Sequence, residues 1–263
     1  MSDIRLSLPN WTDRVVMITG ASSGIGRGVA LELARRGAVV GLVARRAELL
    51  GEIVDEIKMQ NGRALAAVAD VNDAQSIRSA ADKLRSEFGG IDVMIANAGI
   101  GGASHAVDLK PAEVANLFNV NVLGAVNSVT AVLPEMVKRR EGQLVAISSL
   151  AAYRGIPKSA AYCSSKAALS SFFETLRIDL RNSGVSVTII HPGFIKTPLT
   201  AGREATMPFL MELDHAVAKI IKAIEKRKKT YAFPWQLASI VRLGLIMPTF
   251  MYDRIAARSS YRE

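Results

Sequence analysis

Between Arg14 and His191, short runs of β-branched and other apolar residues alternate with longer stretches in which apolar positions recur every three or four residues. The short runs predict strands at Val15–Thr19, Ala38–Val43, Ala64–Ala69, Ile91–Ala96, Gln143–Ser148 and Val185–His191. The longer stretches predict helices at Gly24–Arg36, Ala47–Asn61, Ala74–Phe88, Pro111–Arg139 and Ser159–Asn182. Continuous apolar strands are what a parallel sheet covered by helices on both faces requires. No low-complexity linker divides the pattern, so residues 1–263 read as one doubly wound α/β domain with ligand sites at the carboxyl ends of its strands. Past Pro192 the rhythm changes. Residues 194–213 are punctuated by Pro and Gly, helical periodicity resumes near Asp214, and Tyr231–Phe233 is a candidate seventh strand. Trp235–Met247 then predicts a helix whose only polar positions are Gln236, Ser239 and Arg242, within an apolar and basic helical extension over 234–263.

Composition narrows the class. An apolar content of 49% excludes a disordered or collagen-like chain. A single cysteine, Cys163, excludes an intramolecular disulfide scaffold and fits a reducing, cytoplasmic setting. The N-terminal MSDIRLSLPNW has no apolar run after its charges, so no signal peptide is expected.

The formal charge is +9, and its location matters more than its size. Eight basic and two acidic residues from Lys226 onward account for +6 of it. Lys226-Arg227-Lys228-Lys229 closes a helical stretch, where cations favour the helix dipole. The weakly charged run Tyr231–Tyr252 has the length of a membrane span, but Arg242, Pro234 and Pro248 interrupt it, so a span is not expected. A helix apolar around most of its circumference needs cover from the lid, from another subunit or from lipid. Arg242, Arg254 and Arg258 suit lipid headgroups, which keeps peripheral membrane contact open beside burial. Nucleic acid is not expected, because no recognition motif or stacking platform accompanies the charge.

The first strand leads directly into Thr19-Gly20-Ala21-Ser22-Ser23-Gly24-Ile25-Gly26 and a helix. Gly20 suits a tight turn, Gly24 a close backbone approach to a pyrophosphate and Gly26 close helix packing, while N–H groups at the helix start face the anion. The second strand reaches Ala44 where an NAD-binding protein usually places an acid for the ribose 2′-hydroxyl, and Arg45 and Arg46 follow. A guanidinium there suits a 2′-phosphate, so NADP(H) is preferred over NAD(H). Tyr162 and Lys166, four residues apart, share a helix face, and an ammonium beside a phenol favours the phenolate. A tyrosine so placed can exchange a proton with a carbonyl oxygen. The three histidines, His105, His191 and His215, lack metal-site spacing, and no metal is expected.

TGASSGIG at 19–26, NAG at 97–99, Asn121 in NVLG, Ser149 thirteen residues before Tyr162, YCSSK at 162–166 and PGFIKT at 192–197 together resemble the short-chain dehydrogenase/reductase superfamily. That resemblance spans about residues 12 to 200. It implies a single Rossmann-type domain with about seven parallel strands, and hydride transfer between a nicotinamide cofactor and an alcohol or ketone. It implies Tyr162 as general acid/base, Lys166 as its electrostatic partner and a ribose ligand, Ser149 on the substrate oxygen, and Asn121 holding a relay water. Ser148 is the adjacent alternative to Ser149. For the cofactor it implies Gly20, Ser22, Ser23, Gly24, Ile25, Gly26, Arg45, Asp70, Val71, Asn97, Ala98, Gly99, Tyr162, Lys166, Pro192, Gly193, Ile195 and Thr197. It further implies a homodimer or homotetramer built through the helices at Pro111–Arg139 and Ser159–Asn182. The apolar lid, residues 194–213, points to a lipophilic small-molecule substrate. A 3-oxoacyl carrier-protein reductase and a non-catalytic nucleotide-binding regulator are the alternatives.

Overall fold

The computed structural model describes residues 11–202 and 207–258. Seven strands, β1 (Val15–Thr19), β2 (Val39–Ala44), β3 (Arg63–Val68), β4 (Val93–Ala96), β5 (Gly142–Ile147), β6 (Val185–Pro192) and β7 (Thr230–Phe233), form one parallel sheet in the order β3-β2-β1-β4-β5-β6-β7. Successive side chains leave opposite faces, so each strand serves two cores. Val16 and Ile18 pack with α1 (Gly24–Arg35), α2 (Ala47–Met59) and α7 (Leu213–Glu225), through residues such as Leu33, Ile53 and Ile220. Val15 and Met17 pack on the other face with α3 (Ala74–Phe88), α5 (Gly124–Arg139) and α6 (Ala160–Asp179), through Leu84, Val132 and Phe173. The winding reverses between β1 and β4, which are neighbours in the sheet. A crevice at their carboxyl ends follows from that topology.

One expected helix is corrected. The helix expected at Pro111–Arg139 is divided into α4 (Pro111–Phe118), a wider π turn over Asn119–Leu123, and α5. Its 29 residues are long and apolar enough to cross a membrane, yet Val129, Val132 and Met136 lie in the core beside the sheet. The Tyr231–Tyr252 run is divided into β7, α8 (Trp235–Ile246) and the first turn of a short helix, α9 (Thr249–Ala256), which begins directly after Pro248. Lys226–Lys229 precedes the first residue of β7, whereas α8 leaves the other end of that four-residue strand.

Candidate active site

The turn from β1 into α1 is built by close approach. Gly20 has φ +66, and a Cβ there would lie 2.7 Å from Ala98 Cα; a Cβ on Gly26 would lie 2.4 Å from the Gly20 carbonyl oxygen. Neither position tolerates a side chain. Thr19 Oγ1 accepts from the Asn97 and Ala98 backbone N–H groups, each at 3.2 Å, and Asn97 Nδ2 donates to the Thr19 and Gly20 carbonyls at 2.9 and 3.2 Å. These bonds fasten the loop after β1 to the loop after β4, on either side of the crevice. No side chain caps α1, so its N-terminal N–H groups remain suited to an anion.

A cavity of about 440 Å³ follows the crevice from Arg45 and Arg46 to Tyr162 and Lys166. It brings together Gly20, Ser22, Ser23, Gly24, Ile25, Arg45, Asp70, Val71, Asn97, Ala98, Gly99 and Thr197 with that Tyr–Lys pair. Gly26 packs behind the loop instead. The exposed Arg45 guanidinium lies 3.8 Å from the Asp70 carboxylate. Arg46, which the sequence places only next to it, donates to Ser22 Oγ at 2.8 Å and Ser23 Oγ at 2.9 Å. It therefore braces the loop while adding a second positive group at that end. The glycine cradle and the helix N-terminus fit the pyrophosphate of a dinucleotide, and the paired arginines make the far end of the cavity positive.

At the other end, Lys166 is buried and donates to the Ile147 carbonyl at 3.0 Å; loss of hydration lowers its pKa to about 8. Its Nζ stands 5.9 Å from the centre of the Tyr162 ring. A Cβ on Gly99 would come within 3.3 Å of that nitrogen and 3.2 Å of Asn121 Oδ1, so Gly99 leaves the space in which both meet. Asn121 is fully buried in the π turn. Its Oδ1 accepts from Ile100 N at 2.8 Å, while Nδ2 donates to Ile100 O and to Ser165 Oγ, each at 3.0 Å. With its side chain so occupied, Asn121 positions the loop after β4 against α6.

Ser148 and Ser149 divide as the sequence leaves open. Ser148 Oγ lies 3.1 Å from the Lys166 carbonyl and 2.8 Å from Ser170 Oγ, in a network that reaches His191 Nε2 at 3.1 Å from Ser170. Burial, then the charges of Arg242 and Lys166, lower the His191 pKa to about 4, so it is a neutral structural group. Ser149 Oγ accepts from Ala151 N at 3.1 Å, which leaves its O–H to turn toward substrate. His105 and His215 are exposed, and the described residues contain no cluster suited to a metal.

Ser149 opens onto a second chamber of about 460 Å³, which also holds Pro192, Gly193 and Ile195. Thr197 borders both cavities. Leu237 and Val241 of α8 and Tyr252 of α9 supply a wall for which the motifs give no signal. Arg154 clasps that wall: it donates to the Gly244 and Met247 carbonyls and lies 3.8 Å over the Tyr252 ring.

A model of the short chain dehydrogenase family matches residues 14–208. The chain belongs to the short-chain dehydrogenase family. This dehydrogenase is 44% identical over 93% of its length to an uncharacterized oxidoreductase of Myxococcus xanthus, 97% of which is covered. It is 37% identical to dehydrogenase/reductase SDR family member 7B of Bos taurus, with 93% of this chain and 81% of that one aligned. Among solved structures, a short-chain type dehydrogenase/reductase from Mycobacterium marinum superposes with a TM-score of 0.80 at 26% identity, over 92% and 99% of the two chains. An alcohol dehydrogenase from Thermococcus sibiricus, complexed with 5-hydroxy-NADP, gives 0.75 at 27% identity over 84% and 94%. The short-chain dehydrogenase is accordingly an NAD(P)-dependent oxidoreductase with a Rossmann-type sheet, from a family whose members act on small molecules and typically form oligomers.

Proposed function

We propose that this enzyme interconverts a lipophilic ketone or aldehyde and its alcohol with NADP(H), using Tyr162 as the proton donor and acceptor. The observation that carries the reading is that Tyr162 borders both cavities. A nicotinamide held in the first cavity supplies or takes up the hydride. In reduction, the Tyr162 hydroxyl gives its proton to the carbonyl oxygen, and the buried Lys166 ammonium stabilises the phenolate left behind. Ser149 donates to the same oxygen as negative charge develops on it. Asn121 fixes the Ile100 loop and α6 relative to each other through its side-chain amide.

Arg45, with Arg46 beside it, supports NADP(H) over NAD(H), since no carboxylate follows the second strand at Ala44. Apolar residues from the lid, α8 and α9 support a lipophilic substrate. The carrier-protein alternative draws on Lys226–Lys229, which adjoins the start of β7, whereas the chamber is lined by Pro192 and Gly193 beside that strand's far end. Exposed Leu123 and Ile178 on the α4–α5 and α6 helices suit a homo-oligomer contact. The buried thiol of Cys163 suits a reducing cytoplasm, and the C-terminal helices suit peripheral membrane contact.

Replacing Tyr162 by Phe tests the assignment. Turnover of a responsive ketone, followed by NADPH absorbance, should fall by about 10²- to 10⁴-fold, with NADPH affinity unchanged. Undiminished turnover by Tyr162→Phe would exclude the phenol as proton donor.

A further inference from the structure

The substrate chamber and the exposed apolar surface of the C-terminal helices are continuous. Ile240 and Ile255 line the chamber, yet are 57% and 53% exposed, so they form part of its rim. Beyond them on the same two helices, Trp235, Ile246 and Phe250 are 72%, 80% and 73% exposed. Isolated exposed apolar residues are ordinary, but a group of large ones on the outer face of helices whose inner face lines a cavity marks an interaction surface. The charged residues here are chiefly positive: Arg242, Arg254 and Arg258 face solvent with Asp253 as the one acid among residues 235–258.

We propose that α8 and α9 rest on an anionic bilayer surface, and that a lipophilic substrate dissolved in that bilayer enters the chamber past Ile240 and Ile255. These two helices combine the two ingredients of interfacial binding: bulky apolar side chains for the headgroup–acyl boundary and arginines for anionic headgroups. A second copy of the chain fits less well. A face-to-face dimer would bring two positive surfaces together and cover the rim through which the chamber opens. The surface contact stands on exposure and charge alone, whereas the entry route rests on the proposed reduction chemistry.

Flotation of the full chain with phosphatidylcholine vesicles, with and without phosphatidylglycerol, tests the surface. The protein should float with the phosphatidylglycerol vesicles and release as salt rises. Trp11 is buried at 4% exposure, so a blue shift of tryptophan emission on binding would report Trp235. The double variant Ile246→Asp, Phe250→Asp should float at least tenfold less while keeping its melting temperature and NADPH affinity. Wild-type protein that stays in the soluble fraction overturns the proposal, as does a dimer in light scattering that this variant dissociates. For entry, NADPH oxidation is followed with a long-chain methyl ketone dissolved in the vesicles. The double variant should show about a tenfold higher KM; equal turnover by both proteins, or none by either, overturns lateral entry. Flotation accompanied by full activity of Tyr162→Phe would leave the surface standing and remove only the proton-donor assignment.

Discussion

Burying an ammonium costs hydration that one carbonyl cannot replace, and Lys166 carries that cost at the centre of the site. Its folded pKa of about 8 lies below the ordinary 10.5, so between those values the unfolded chain holds the additional proton. The contribution of this group to stability therefore rises as pH goes from 8 to 10.5, and its penalty is fully present below 8. Lys166→Met should stabilise the cofactor-free enzyme at pH 7 by about 2 kcal/mol, after allowing for the lost bond to Ile147. Urea unfolding measures this, and activity should be lost in the same protein. At this scale the sequence was legible where chemistry depends on residue type and spacing, as for Tyr162 and Lys166. It did not separate Arg45 from Arg46, because two adjacent arginines look alike until the fold shows one reaching Ser22 and Ser23 and the other Asp70.

Among the elements, α8 and α9 depend most on a single side chain. Arg154 satisfies carbonyls at the end of α8 and stacks on Tyr252 of α9, joining both helices to the loop that follows Ser149. Arg154→Ala should loosen the chamber wall, raising KM for a lipophilic ketone about tenfold, as expected from losing one charged hydrogen bond. NADPH affinity should not change, and steady-state kinetics with cofactor titration separates the two effects. The seven strands were legible because buried parallel strands are written as apolar runs. Two features were not. The π turn at Asn119–Leu123 preserves helical periodicity in the residues around it, and α9 has no fully buried residue from which an apolar stripe could be read.

For the whole molecule, function follows from where the sheet reverses direction and where its charge lies. A cofactor bound between β1 and β4 joins loops from both halves of the fold, so binding stabilises the folded state as a unit. NADPH at a hundred times its Kd should raise Tm by about 5 to 10 °C. Differential scanning fluorimetry should show NADH giving less at equal concentration, with the difference removed in Arg45→Asp. Of the +9 total, Lys226–Lys229 carries +4 at the start of β7, and the cofactor end and the C-terminal helices carry further positive groups. Only the latter two border the cavities, so net charge alone says little about the reaction. The π turn has a consequence for the history of the gene as well. A π turn takes up one extra residue while keeping the helix after it in phase, so removing one codon between Asn119 and Leu123 would restore a regular helix and leave Val129, Val132 and Met136 facing the sheet. Asn121 would lose its place against Ile100, so a change in reading length there would damage the active site and spare the core.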